Sequence, residues 1–190
     1  MKFTLDNNCL IAVANDEPAA IDIKAVAQAH ATGKAEVAML GISASERQAG
    51  GRYLQNIGEF RSKLESIGLG HLTIYKPTGI WGVTFWDWCV YASPESMSLE
   101  RQIHDAMFPP SEFEWEAVAS ASGEAIEATT GPAYRRWRNR RCDVQGMLAH
   151  ILNGGNVFVS SDNHFLRNTQ SLMELGAGEV LQPSVAAAMI

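Results

Sequence analysis

The stretch Asn156-Val-Phe-Val-Ser-Ser-Asp162-Asn-His-Phe165 decides the fold of this chain. Its apolar, β-branched run, 157–159, follows the turn signal Gly154-Gly155 and is too short for a helix, so it predicts a buried strand. An acid, Asp162, stands just after that strand. Ligands of an open α/β sheet bind at the carboxyl ends of its strands, so Asp162 is placed to hold a cation or to take part in acid–base chemistry.

Strand and helix patterns alternate along the rest of the chain. Residues 2–6, 36–42, 71–75 and 179–182 are predicted as further strands, and apolar residues at three- and four-residue spacing predict helices between them. This order predicts an α/β fold with a parallel sheet and helices on its faces. We expect one domain over residues 1–190, with segment 77–134 as an insertion in the middle of the chain.

Three other acids stand where this fold would bring them to the same edge of the sheet. Asp6 ends the first predicted strand. Glu46 closes Ser43-Ala-Ser-Glu46, a capping-box pattern that predicts a helix over residues 44–67 with an irregularity at Gly50-Gly51. Asp143 precedes apolar residues at helical spacing, which predicts that it occupies the first turn of a helix. We expect these acids to meet across the sheet.

Net charge and cysteine content indicate which partners and which cellular compartment to expect for this protein. The net charge of −6 means that the surface as a whole does not attract nucleic acid, although a local basic patch can suffice. The three cysteines, Cys9, Cys89 and Cys142, are scattered, which is typical of reduced thiols in a cytoplasmic protein. We expect a cytoplasmic location and no membrane partner, since the sequence lacks a long apolar run and a signal peptide.

Four stretches in this order resemble the motifs of the PIN-domain nucleases. They are the strand and acid of residues 5–11, the second strand and acid of residues 37–46, the helix led by Asp143, and the strand, hydroxyl and acid of residues 157–165. The resemblance implies a three-layer PIN-like fold. It also implies a divalent-metal-dependent endoribonuclease, which in this family is often the toxin of a toxin–antitoxin pair.

The chain departs from the family at two places. His164 stands where the family often carries another acid, and segment 77–134 is longer than the compact form of the family allows. The resemblance implies RNA as a partner and leaves an antitoxin protein and a homodimer open as further partners.

The metal site implied by the resemblance also suits the chemistry. Hydrolysis of a phosphodiester needs an activated water and relief of charge on the phosphate, which Mg²⁺ or Mn²⁺ supplies. These hard cations prefer carboxylate oxygens. We therefore expect four residues to be both metal ligands and catalytic residues: Asp6, Glu46, Asp143 and Asp162. Three neighbours are expected to orient a ligand, a water molecule or a carboxylate, or to pack beside the site: Asn8, Ser161 and His164.

Two further clusters have both a structural and a functional interpretation. The basic run 135–141 is either a solvated helical face or a phosphate-binding group, for which the candidates are Arg138, Arg140 and Arg141. For the aromatic residues of the middle segment, a place in the core or in an interface is the favoured interpretation, and base stacking is the alternative: Trp81, Phe85, Trp86, Trp88 and Tyr91.

Two other functions compete with the ribonuclease. An aspartyl-nucleophile phosphatase also begins with a strand and an Asp, but it needs a second acid where this chain has Asn8. A PIN-like fold that serves as a non-catalytic RNA- or protein-binding module is the main alternative. Metal-dependent RNA cleavage distinguishes this alternative from the ribonuclease.

Overall fold

A computed structural model describes residues 1–48 and 51–190, and its centre is a five-stranded sheet. All strand pairs are parallel, and the order across the sheet is β3-β2-β1-β4-β5. The strands are β1 (Lys2–Leu5), β2 (Glu36–Leu40), β3 (Thr73–Tyr75), β4 (Val157–Val159) and β5 (Glu179–Leu181). The prediction of an α/β fold with a parallel sheet is confirmed, and β1 lies at its middle.

Helices connect the strands and cover the sheet. Within the described residues there are nine α-helices: α1 (Asn7–Ala14), α2 (Ala20–Ala31), α3 (Ile57–Ser66), α4 (Pro94–Met107), α5 (Trp115–Ser122), α6 (Pro132–Leu152), α7 (Asn163–Arg167), α8 (Thr169–Glu174) and α9 (Pro183–Ala187). Two short 3-10 helices span Gly41–Ser45 and Trp86–Trp88. No helix of residues 1–48 and 51–190 is long and apolar enough to cross a membrane.

The alternation of side chains along the strands divides the core into two layers. Phe3 and Leu5 of β1 pack in a cluster with residues of α1, α2, α3 and α9. The next strand, β4, sends Phe158 to the opposite cluster, which residues of α4 to α8 complete. Because successive strand residues point to opposite faces, the sheet is packed between two layers of helices.

The helix predicted over residues 44–67 is wrong in its first half. Glu46 has an extended backbone at the end of the 3-10 helix, and α3 begins only at Ile57. The side chain of Asn56 accepts a hydrogen bond from the Glu59 backbone N–H, so the N-cap of the α-helix lies there. The predicted irregularity at Gly50-Gly51 lies in part outside the described residues.

Asp143 does not lie in the first turn of its helix, contrary to the sequence-based prediction. Helix α6 begins at Pro132, which fits a first turn because proline lacks the N–H that would remain unpaired there. The basic run and Asp143 therefore belong to one continuous helix. Segment 77–134 supplies α4 and α5, both of which pack against α6, and its origin as an insertion stays a prediction.

Candidate active site

Asp6 occupies the centre of the carboxyl edge of the sheet. It follows β1 directly, its backbone N–H donates to the Val159 carbonyl at 3.0 Å, and it is only 7% exposed. Its Oδ1 accepts a hydrogen bond from the Asn7 backbone N–H at 2.7 Å. Its Oδ2 accepts from Asn8 Nδ2 at 2.8 Å and from Ser160 Oγ at 2.9 Å. The carboxylate is therefore fixed, because it caps α1 and both of its oxygens are bonded.

Ser160 joins Asp6 to Asp162. Its buried hydroxyl donates to Asp6 and accepts from the Asp162 backbone N–H at 3.0 Å. Asp162 caps α7 by accepting from the His164 backbone N–H at 2.7 Å. Ser160, and not Ser161 as expected, therefore orients the carboxylate of Asp6. The Ser161 side chain is exposed, and only its backbone N–H reaches the acid site, where it donates to Asn8 Oδ1 at 3.1 Å.

The strand register explains why Ser160 was missed. Leu5 pairs with Val159, so Asp6 and Ser160 are the next residues on two adjacent strands and point to the same side. The alternation that follows from this pairing would have selected Ser160 over Ser161. The sequence alone does not contain the pairing.

Glu46 approaches Asp6 from the end of β2. Its Oε2 accepts a hydrogen bond from Asn7 Nδ2 at 2.6 Å, and its backbone carbonyl accepts from Gln48 Nε2 at 2.9 Å. Lys63 donates to Gln48 Oε1 at 2.6 Å, and the Asn7 hydrogen bond and the charge of Lys63 oppose the rise that burial causes in the pKa of Glu46. Asn7, which the sequence did not single out, thus contacts two of the four expected acids.

The acids repel one another electrostatically. Burial, with added repulsion from Asp162, raises the pKa of Asp6 to about 6. Burial, with repulsion from Asp6 and Asp162, raises the pKa of Glu46 to about 8. Burial, followed by repulsion from Glu46, Asp6 and Asp162, raises the pKa of Asp143 well above its ordinary value. The structure therefore brings the four expected acids into one electrostatically coupled cluster, the acid site.

A hard divalent cation suits the chemistry of this acid site. All four residues offer carboxylate oxygens, and a cation would offset the repulsion that raises the pKa values of Asp6, Glu46 and Asp143. Among the described residues, however, no three His, Cys, Asp or Glu side chains are already arranged as a group that could hold a metal.

Arg138 and Arg141 have structural contacts, which corrects their expected role as phosphate ligands. Arg138 Nε and Nη2 donate to the Ser45 carbonyl at 3.1 and 2.9 Å, and its Nη1 donates to the Gly82 carbonyl at 2.6 Å. Arg141 pairs with Glu100 at 2.8 Å. Both arginines are buried because residues three apart share one face of α6, and that face is the inner one.

Arg140 and His164 lie on the outer side of the same region. Arg140 is partly exposed, and both residues line a cavity of about 450 Å³ together with Phe108 and Ser111. The ring of His164 is exposed and lies 5.2 Å from that of Phe108 between centroids. Arg140 is thus the one of the three candidate arginines that the structure leaves partly exposed, and the ring contact of His164 is a packing contact.

Comparisons of the chain with protein-family models, with curated proteins and with solved structures gave no match. A fold of this class hosts many functions, so a functional proposal has to be argued from the site. The acid site and its surroundings supply that argument.

Proposed function

We propose that the protein is a divalent-metal-dependent endoribonuclease that hydrolyses RNA phosphodiester bonds at the acid site. The observation that carries the proposal is the cluster of four carboxylates at the carboxyl edge of a parallel sheet, three of which have raised pKa values. Resemblance to the PIN-domain nucleases supports the same reaction and the choice of RNA.

The four acids would hold Mg²⁺ or Mn²⁺. Such an ion supplies an activated water and offsets the charge of the phosphate when it is bound. The chain itself contributes the orientation of the ligands. Asn8 and Ser160 hold Asp6 Oδ2, and Asn7 holds Glu46, so removal of these amides or of the hydroxyl would loosen the carboxylates without removing charge.

Glu46 has a further part in the proposal. Because burial raises its pKa, this carboxyl retains its proton at higher pH than a free glutamate does in the absence of metal. A metal that binds to Glu46 would displace the proton, so metal affinity should rise with pH up to about 8. Burial and repulsion thus make the protonation state of Glu46 sensitive to metal binding.

One observation favours the alternative of a non-catalytic RNA- or protein-binding module. The oxygens of Asp6 already accept three hydrogen bonds, with which a metal ion would have to compete. If Asp6 keeps these hydrogen bonds and does not bind a metal ion, the protein would bind its RNA or protein partner without cleaving RNA.

RNA cleavage by the purified protein distinguishes the two functions. We expect Mg²⁺ or Mn²⁺ to support cleavage, excess chelator to stop it, and Asp162→Asn to abolish it while the protein stays folded. Asp22→Asn removes a similar charge from α2, outside the acid site, and should cleave like the wild type. Cleavage that persists in chelator, or in Asp162→Asn, would reject the metal-dependent mechanism, and folded protein without any cleavage would favour the binding module.

A further inference from the structure

Two tryptophans are exposed beside the acid site. Trp81 is 83% exposed and Trp86 is 59% exposed, and their ring centroids lie 5.8 Å apart with the ring planes tilted by 53°. Trp86 packs over Gly79, where a Cβ would approach its ring to 3.2 Å. The backbone thus supports the ring, and the tryptophan pair, Trp81 and Trp86, presents aromatic faces to the solvent. For these two residues the expectation of a place in the core is wrong, while the alternatives of an interface and of base stacking stay predictions.

Arg138 ties the tryptophan pair to the acid site. Its guanidinium donates to the carbonyl of Gly82, the residue after Trp81, and to the carbonyl of Ser45, the residue before Glu46. The two carbonyls therefore meet at one buried side chain, so the backbone next to Trp81 is held close to the backbone next to Glu46.

Two cations lie over the ring of Trp88, which follows Trp86 by two residues in the same 3-10 helix. Arg61 Cζ and Lys76 Nζ lie 4.6 and 4.5 Å from the centroid of the Trp88 ring. Both side chains are exposed, and neither forms an ion pair with a carboxylate of residues 1–48 or 51–190. Within this 3-10 helix, Asp87 is the acid between Trp86 and Trp88, so the ring of Trp88 carries two cations against one neighbouring acid. A polyanion is the complementary partner for such a patch.

We infer that Trp81 and Trp86 stack against unpaired bases of single-stranded RNA, while Arg61 and Lys76 contact its phosphates. Every base has an aromatic face, so stacking of this kind tolerates any sequence and is combined with backbone contacts in single-strand binding proteins. The inference rests on the proposed ribonuclease function for the choice of RNA, and it adds a binding surface to the acid site.

The geometry of the pair favours a single strand over a duplex. In a duplex the bases are parallel and their faces are covered by neighbours, whereas rings tilted by 53° require two bases that are turned relative to each other. A cleft of about 810 Å³ opens beside Trp81 and is lined by Arg101, Trp115 and Tyr134 among others. This volume lies in the range of small-molecule sites and gives a turned-out base room.

The test measures binding without cleavage. A fluorescently labelled ten-nucleotide oligouridine is titrated with the full chain in excess EDTA, and fluorescence anisotropy reports the dissociation constant. Trp81→Ala and Trp86→Ala should each weaken binding roughly 5- to 150-fold, which corresponds to about 1–3 kcal/mol of stacking per base. Tyr91→Ala is the matched control, because Tyr91 is 99% exposed in the same segment and should leave the affinity unchanged.

Charge and strandedness provide two further readouts. Arg61→Gln together with Lys76→Gln should lower the slope of binding against salt concentration, whereas the tryptophan variants should leave that slope unchanged. A double-stranded RNA of the same length should bind more weakly than the single strand and should not distinguish Trp81→Ala from the wild type. Equal binding of duplex and single strand would overturn the inference.

The outcomes separate this inference from the proposed function. Wild-type affinity in both tryptophan variants would overturn the inference, even if metal-dependent cleavage occurs. The expected loss of affinity would support the inference even if no cleavage is found. If the variants instead abolish self-association in sedimentation experiments and leave RNA affinity unchanged, the pair is a protein contact and the inference is wrong.

Discussion

Helix α6 contributes residues to two charged clusters, which differ in whether their carboxylates have a partner of opposite charge. Two residues of α6, Arg141 and Gln145, contact the same oxygen of Glu100 at 2.8 and 2.6 Å, so the buried carboxylate there has a cation and an amide as partners. Asp143, between them in sequence, belongs to the acid site, where burial and then repulsion from Glu46, Asp6 and Asp162 raise its pKa. A buried charge with a partner of opposite sign is a structural contact, whereas several like charges placed together mark a candidate functional site.

The largest effect is expected from breaking the compensated cluster. Arg141→Met leaves the Glu100 carboxylate, 6% exposed, without its cation, so we expect a loss of about 3–5 kcal/mol in the free energy of unfolding. Urea denaturation at neutral pH measures it. The control is Arg140→Met, at a partly exposed position of the same helix, with an expected change within about 0.5 kcal/mol. Equal stability of the two variants would remove the first half of the comparison.

The next largest effect is expected from adding a divalent cation to the acid site. If the acid site binds Mg²⁺, a concentration of 100 times Kd should stabilise the wild type by about 2.7 kcal/mol. For a domain of this size, that corresponds to a rise in Tm of roughly 5–10 °C. Asp162→Asn should lose most of the rise, and Asp22→Asn should keep it. A thermal scan at pH 8 with Mg²⁺ or with EDTA measures the difference, and an identical rise in all three proteins would indicate binding elsewhere.

His150 is a third case of a buried titratable group: it has no partner of opposite charge among its hydrogen bonds and is stable in the core because it stays neutral. Its Nδ1 lies 2.8 Å from Thr4 Oγ1 and its Nε2 lies 2.7 Å from the Ala177 carbonyl, and burial lowers its pKa from 6.5 to about 4. The unfolded chain therefore binds more protons than the fold between those pH values. The contribution of neutral His150 to the free energy of unfolding is therefore fully present above about pH 6.5 and is lost as the pH falls towards 4.

We expect the free energy of unfolding to fall by about 2–3 kcal/mol from this group between pH 7 and pH 4. His150→Gln cannot be protonated and should remove that part of the slope, although its absolute stability will be lower. His71→Gln, at an exposed position, is the control and should keep the slope of the wild type. Urea titrations at several pH values measure it, and a wild-type slope in His150→Gln would reject the assignment.

The sequence predicted those parts of the molecule that follow from local patterns. The five strands were predicted within about two residues of their ends, because apolar runs next to turn residues are local signals. Three of the acids lie at or near strand ends and follow from the same signals. The parallel sheet then predicts that Asp6, Glu46 and Asp162 share an edge.

What the sequence did not predict depends on tertiary contacts. Arg138 looked like a phosphate ligand because a run of arginines gives no sign of which members face the core. The start of α3 was misplaced because the prediction followed the capping-box pattern at Ser43, whereas Asn56 caps the helix, and the start of α6 was misplaced because the apolar spacing was followed only from Asp143 onwards. Ser160 and Asn7 were missed because their roles follow from strand register and from the approach of β2 to β1.

The smallest effect on the free energy of unfolding is expected from relieving the repulsion between the carboxylates of the acid site. Glu46 has a folded-state pKa raised from 4.5 to about 8, so the fold binds more protons than the unfolded chain between those values. Its contribution to stability is present below about pH 4.5 and is lost as the pH rises through about 8. Metal-free wild-type protein should therefore be less stable at pH 9 than at pH 6.

Glu46→Gln should remove most of this pH dependence. The amide keeps the shape of the side chain and never carries the charge, so in EDTA at pH 9 the variant should be more stable than the wild type by about 1–2 kcal/mol. This is less than the full pKa shift implies, because Glu46 is only half-buried and water screens the repulsion. Glu59→Gln, on the neighbouring helix α3, is the control and should keep the wild-type slope. An unchanged slope in Glu46→Gln would mean that the acids are already compensated, and the contrast between the two sides of α6 would then disappear.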